Sequence, residues 1–156
     1  MLPVGVFRNA PLQTVADTVA TANLHAVQLH GVEDSNYVAA LRKALPSDCE
    51  IWTAVSVGRG PLARGGGDRL LFDNGEGGTG LGFDWTLLDG HPDLPRGLIA
   101  GGIGAHNARS AQALGAYGID IGSAVDERPG CKSSEKIAAL FDALRPPSRE
   151  RLRACA

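Results

Sequence analysis

The sequence predicts an α/β chain in which about six parallel strands, each followed by a connecting segment, curl into an incomplete (βα) barrel. Three observations point there. Short runs rich in β-branched residues alternate with stretches of helical period, the pattern of consecutive βα units on a parallel sheet. One apolar run ends in a carboxylate and breaks into a glycine loop, Leu71-Phe-Asp-Asn-Gly-Glu-Gly-Gly-Thr-Gly80. Two more runs end alike, Leu98-Ile-Ala-Gly-Gly-Ile-Gly104 in a glycine turn and Ile119-Asp-Ile-Gly-Ser-Ala-Val125 in small residues suited to amide donation. Strand ends of one kind mark one mouth, and parallel barrels keep their ligand sites at that mouth.

Six units follow in order. Residues 4–7 form the first strand, and Leu12, Val15, Ala16 and Val19 give the next segment a helical face. Residues 26–29 form the second, followed by a helix that buries Tyr37, Val38, Leu41 and Leu45. The third strand, residues 51–57, enters a stretch from Gly58 to Gly67 whose glycines and proline are too costly for a regular helix, so a loop is expected there. The fourth, residues 69–72, leads through the glycine loop to a short helix at residues 84–88, and His91-Pro-Asp-Leu-Pro95 turns the chain. Residues 97–100 and a small-faced helix near residues 107–114 make the fifth unit. Residues 118–121 begin the sixth, whose helix carries Ile137, Leu140, Phe141 and Leu144 and is capped by Ser133 or Ser134.

At 156 residues the chain fits one domain, long enough to bury roughly 70% of its unfolded surface. Residues 1–145 make the partial barrel. Residues 146–156 continue a basic tail with four arginines against one glutamate from Arg145 to Arg153; two prolines stop the helix before it, and disorder is expected. Hydrophobic content of 44%, charged content of 21% and a net charge of -2 describe an ordinary globular protein without a nucleic-acid footprint. Cys49, Cys131 and Cys155 are odd in number and far apart, which signals neither a disulfide framework nor a zinc site, and a reducing cytoplasm fits best. No apolar run approaches the roughly 20 residues of a membrane span.

Asp73 is the foremost candidate for chemistry, an acid ending an apolar run at a barrel mouth. Its structural alternative is a loop cap that accepts amides from Gly75 or Glu76. Gln28 and His30 lie two residues apart on one strand end and so share a face toward the same mouth. Amides of Gly101, Gly102 and Ile103, with those of Ser123, Ala124 and Val125, can form a nest for a phosphate dianion, in the two loops where barrel phosphate sites recur. Asp120 either positions a substrate hydroxyl or is the buried partner of a basic group. Asp84 and Trp85 read as structural, starting and anchoring the short helix, and His25, His91 and His106 as surface or capping groups.

These motifs resemble the phosphoribosylanthranilate isomerase family of tryptophan biosynthesis. Carrying the resemblance are Val27-Gln-Leu-His-Gly31, Phe72-Asp-Asn-Gly-Glu-Gly-Gly-Thr-Gly80, Phe83-Asp-Trp85, Ala100-Gly-Gly-Ile103, Ser123-Ala-Val125 and Pro129-Gly130, in the family's order and spacing from about Leu2 to Arg145. It implies a TIM-type (βα) barrel whose first two βα units have no counterpart here. It further implies that Asp73 is the general acid of an Amadori rearrangement, that Gln28 and His30 line the ligand, and that the substrate is a phosphosugar needing no cofactor or metal.

The family's cysteine base, near the end of its first strand, and the arginine after its second strand also lack counterparts. Cys49 precedes a strand and so faces the opposite end. An isolated chain of this kind is expected to turn over negligibly and to expose two sheet edges, which invite a missing N-terminal segment or a second copy. Arg8 and Lys132 are the charged groups expected near that opening. A non-catalytic phosphosugar-binding or scaffold module, and one half of a split enzyme, stand as alternatives.

Overall fold

The computed structural model describes residues 1–58, 66–75 and 82–145. Most of the expected loop between Gly58 and Gly67, most of the glycine loop after Asn74, and the basic tail lie outside the described residues. Six strands form one parallel sheet in sequential order: β1 Val4–Phe7, β2 Ala26–Leu29, β3 Glu50–Ser56, β4 Arg69–Asp73, β5 Leu98–Ile99 and β6 Gly118–Ile119. Helices α1 Leu12–Ala22, α2 Ser35–Ala44, α3 Ala108–Ala113 and α4 Ser134–Leu144 follow β1, β2, β5 and β6. None is long and apolar enough to cross a membrane.

Local chemistry sets the helix limits. Asp34 caps α2 by accepting the Tyr37 amide at 2.8 Å, and Ser133 caps α4 by accepting that of Lys136 at 3.3 Å. Asn23 ends α1 in the left-handed region at φ 49°, a conformation its short polar side chain tolerates. Asp84 accepts the Thr86 amide and starts a 3₁₀ turn at Trp85–Leu88. His91 is a capping and packing group, taking the Asp93 amide at Nδ1 and standing edge-on to Phe72 with ring centroids 5.1 Å apart.

Alternation along the strands separates two layers. Val27, Leu29 and Ile51 face α1 and α2, and pack with Val15, Val19, Val38 and Leu41. Val55, Leu70, Phe72 and Ile99 pack with Ala108, Ala111 and Leu140 of α3 and α4. β3 therefore serves two helix-side cores, giving Ile51 to one and Val55 to the other. On the opposite face Leu71, Leu98 and Ala100 pack with Trp52 and Ala54.

The sheet is strongly curled. Gln28 on β2 and Asp120 just after β6 stand four strand spacings apart, about 19 Å in a flat sheet, yet their side chains meet at 3.1 Å. β1 and β6 are the two edges of this sheet, and on β1 Val4 and Val6 are 37% and 63% exposed.

Three features were not anticipated from the sequence. β5 and β6 are only two residues long, because glycine turns or polar residues follow at once. Residues 126–132 fold into an antiparallel hairpin of β7 Asp126–Arg128 and β8 Cys131–Lys132, with Gly130 at φ 77° in its turn. Lys132 belongs to that hairpin, bonded to Asp126 at 2.5 Å and to the Gly122 carbonyl at 2.8 Å, instead of screening a sheet edge.

Candidate active site at the C-terminal strand ends

Parallel pairing brings every strand's C-terminal end to one side, so the candidate residues converge without long loops. Asp73 is the last residue of β4, opposite Ser56 in register and 8% exposed. Its Oδ1 accepts the Asn74 amide at 2.7 Å. The expected loop cap was to Gly75 or Glu76; the bond observed is to Asn74, Glu76 lies outside the described residues, and Oδ2 is left free of that bond. A cavity of about 260 Å³ opens beside it, lined by Arg8, His30, Ser56, Asp73 and Gly75 among others. Asp73 and His30, expected to share a mouth, thus share a cavity.

Gln28 and His30 do present one face. The Gln28 side chain is buried, and its Nε2 contacts both His30 Nε2 and Asp120 Oδ2. Asp120 is tied by its amide to the Ile99 carbonyl at 2.8 Å, which holds its side chain toward the concave face. Of the two readings for Asp120, its partner here is an amide and not a basic group.

The two loops after β5 and β6 lie against one another: a methyl at Gly104 would stand 3.3 Å from Cβ of Ala124. Gly101 and Gly102 take φ of 81° and 64°, which only glycine adopts at little cost. Asn107 braces this loop, accepting the Gly104 amide at 2.9 Å and donating to the Gly102 carbonyl at 3.0 Å. Ile103 and Val125 anchor both loops in the same core beneath. Among the described residues the amides of Gly101, Gly102 and Ile103 donate to nothing. Ser123–Val125 is a single 3₁₀ turn, whose first amides have no carbonyl within the turn to bond.

Glu33 and Asn9 at this mouth carried no sequence signal of a role. Glu33 accepts the Asn9 amide at 2.6 Å and the Gly31 amide at 2.8 Å, while Asn9 Oδ1 accepts the Val32 amide at 2.8 Å. These bonds lash the loops after β1 and β2 together. Arg8, one residue before this clamp, reaches the cavity with no hydrogen bond or ion pair among the described residues. Asn9 takes φ of 53°, which asparagine tolerates better than most residues.

A family model described as N-(5'phosphoribosyl)anthranilate (PRA) isomerase matches residues 1–143. The chain belongs to this family. Relatives include the tryptophan biosynthesis protein TrpCF of Yersinia pestis, 48% identical over 144 residues, and that of Salmonella typhi, 46% identical over the same length. Each match covers 91% of this chain; the chain spans 30% and 32% of those relatives. The crystal structure of phosphoribosyl anthranilate isomerase from Thermus thermophilus superposes with a TM-score of 0.78 at 33% identity, covering 92% of this chain and 72% of that one. The TIM-type architecture expected from the isomerase resemblance is thereby established.

Proposed function

We propose that this chain carries the acid and the phosphate cradle of a phosphoribosylanthranilate isomerase site. The reaction converts N-(5-phosphoribosyl)anthranilate to 1-(2-carboxyphenylamino)-1-deoxyribulose 5-phosphate. Asp73, placed at the end of β4 on a shared cavity with His30, is the observation that carries the reading. Its carboxyl group protonates the ribose ring oxygen and the C1′–O bond opens to an iminium. A base then takes the C2′ proton, and the enolamine tautomerises to the aminoketose. The amides of Gly101, Gly102 and Ile103, which donate to nothing among the described residues, hold the phosphate with those of Ser123, Ala124 and Val125, and Gln28, His30 and Asp120 line the sugar.

In this reading the base and two further βα units are not encoded in residues 1–156. They belong against the edges of β1 and β6, fused to the chain or supplied as a separate one. Cys49 does not replace the base, since it is buried at the N-terminal end of β3, away from Asp73. Loss of a general base costs about 10²–10⁴ in rate.

The test compares turnover of freshly made phosphoribosylanthranilate by this chain and by the chain extended with two βα units. Turnover by the extended form only, abolished by Asp73→Asn, is expected. Turnover by the short chain overturns the account of the base. Loop amides that donate to nothing among the described residues favour a second reading, a phosphosugar-binding module. Binding of ribose 5-phosphate by an extended form that stays inert would select it.

A further inference from the structure

The contacts of Gln28 determine more than packing. An ionised carboxylate only accepts hydrogen bonds, so the end of the Gln28 amide that meets Asp120 Oδ2 at 3.1 Å is its NH₂ group. Turning the amide over would set its carbonyl oxygen against that carboxylate. The same Nε2 contacts His30 Nε2. An amide nitrogen donates and does not accept, so His30 Nε2 is the acceptor, and the neutral ring carries its proton on Nδ1. Nδ1 has no partner among the described residues, and His30 lines the cavity that holds Asp73.

We propose that Asp120 is a positioning residue: acting through Gln28, it holds His30 as the Nδ1–H tautomer, which leaves the cavity a neutral donor for an oxygen of the bound ligand. An unconstrained imidazole prefers the opposite tautomer, so the arrangement has a signature that packing alone would not produce. That the oxygen belongs to a phosphosugar rests on the function proposed above; the tautomer does not.

Two-bond ¹H–¹⁵N correlation spectra of the ¹⁵N-labelled chain, at alkaline pH where imidazoles are neutral, report the tautomer directly. A His30→Asn sample assigns the signal. The Nδ1–H pattern is expected in the unaltered chain, shifting toward Nε2–H in Asp120→Ala and in Gln28→Leu while the backbone amide spectrum away from the site stays in place. An Nε2–H pattern in the unaltered chain overturns the proposal even where the variants fail to fold. A tautomer unmoved by Asp120→Ala overturns the role of Asp120. Ribose 5-phosphate should shift the His30 resonances; if it leaves them unmoved while the Nδ1–H pattern persists, the tautomer stands and the phosphosugar reading falls.

Discussion

Gln28 and Asp120, 92 residues apart in the chain, meet at 3.1 Å across the concave face of the sheet. The bond links the second and sixth strand ends and so helps hold the curl of the intervening sheet. Replacing Gln28 by leucine leaves the half-buried Asp120 carboxylate without this donor; a fully buried stranded group costs about 1–3 kcal/mol, and this one at most the lower end of that range. The expected outcome is a Gln28→Leu chain whose urea midpoint falls by that equivalent. Replacing both residues by apolar ones should cost less than the sum of the single changes, a coupling that a double-mutant cycle measures.

Gly31 leaves no room for a side chain. A methyl there would collide with Asn9 Oδ1 and stand 2.8 Å from the Asn9 amide nitrogen, inside the Glu33 clamp. Gly31→Ala should therefore destabilise by about 1–3 kcal/mol, the usual range for forcing atoms into a packed site. Gly118 is the matched control, since its added methyl would meet only Leu98 at an ordinary 3.6 Å. Thermal denaturation of both variants against the parent tests the contrast, and equal midpoints would contradict it.

Acid should weaken the fold through Glu50. Its carboxyl is held below the usual range chiefly by hydrogen bonds from Arg69; burial opposes this, and a hydrogen bond from the Trp52 indole adds a lesser lowering. Arg69 in turn stacks on Tyr117 at 3.5 Å. A lowered folded-state pKa means the unfolded chain binds the proton more readily. This stabilisation is complete above the ordinary carboxylate value near about 4.3 and disappears as pH falls through the lowered one. Glu50→Gln should lower the urea midpoint at neutral pH and flatten its decline in acid. A parallel decline in both proteins would exclude Glu50 as the cause.

Cys49 should be silent toward thiol reagents in the native state. It is 2% exposed within the core of α1, α2, β2 and β3, and burial raises its thiol pKa despite the opposing charge of Arg42. The thiolate is the reactive form, so both access and ionisation oppose labelling. In a Cys155→Ser chain, native labelling should reach Cys131, which is partly exposed, and leave Cys49 until denaturant is added. Prompt labelling of two thiols would show that the N-terminal core opens readily.

Much of this architecture is legible in the sequence because its signals are local. Five of the six strands begin and end within one residue of the expected bounds, and the sixth begins where expected, since short apolar runs bounded by glycine and polar residues are readily recognised. The helix faces of Val15 and Val19, or of Val38 and Leu41, follow from spacing alone. Asp73 and His30 stand out because each ends an apolar run, and Gln28 because it shares a face with His30 two residues on. The β7–β8 hairpin was illegible, being short, charged and exposed, without a hydrophobic alternation to announce it. The Glu33 clamp was hidden as well, because a carboxylate that bonds an amide 24 residues back in the chain leaves no trace in spacing.

The division of the helix side into two cores, with β3 contributing to both, also bears on how the molecule comes apart. Partial opening should proceed in blocks, one comprising β1, β2, α1 and α2 and the other β5, β6, α3 and α4. Either block can detach while β3 retains one of its two cores. The amides of Ile51 to Val55 should then be the slowest in the chain to exchange with solvent deuterium, reporting the free energy of global unfolding while the flanking blocks report smaller values. Kinetic persistence in this sheet would reside in its third strand, between the half that carries Gln28 and His30 and the half that carries Asp73 and the glycine turn at Gly101 and Gly102.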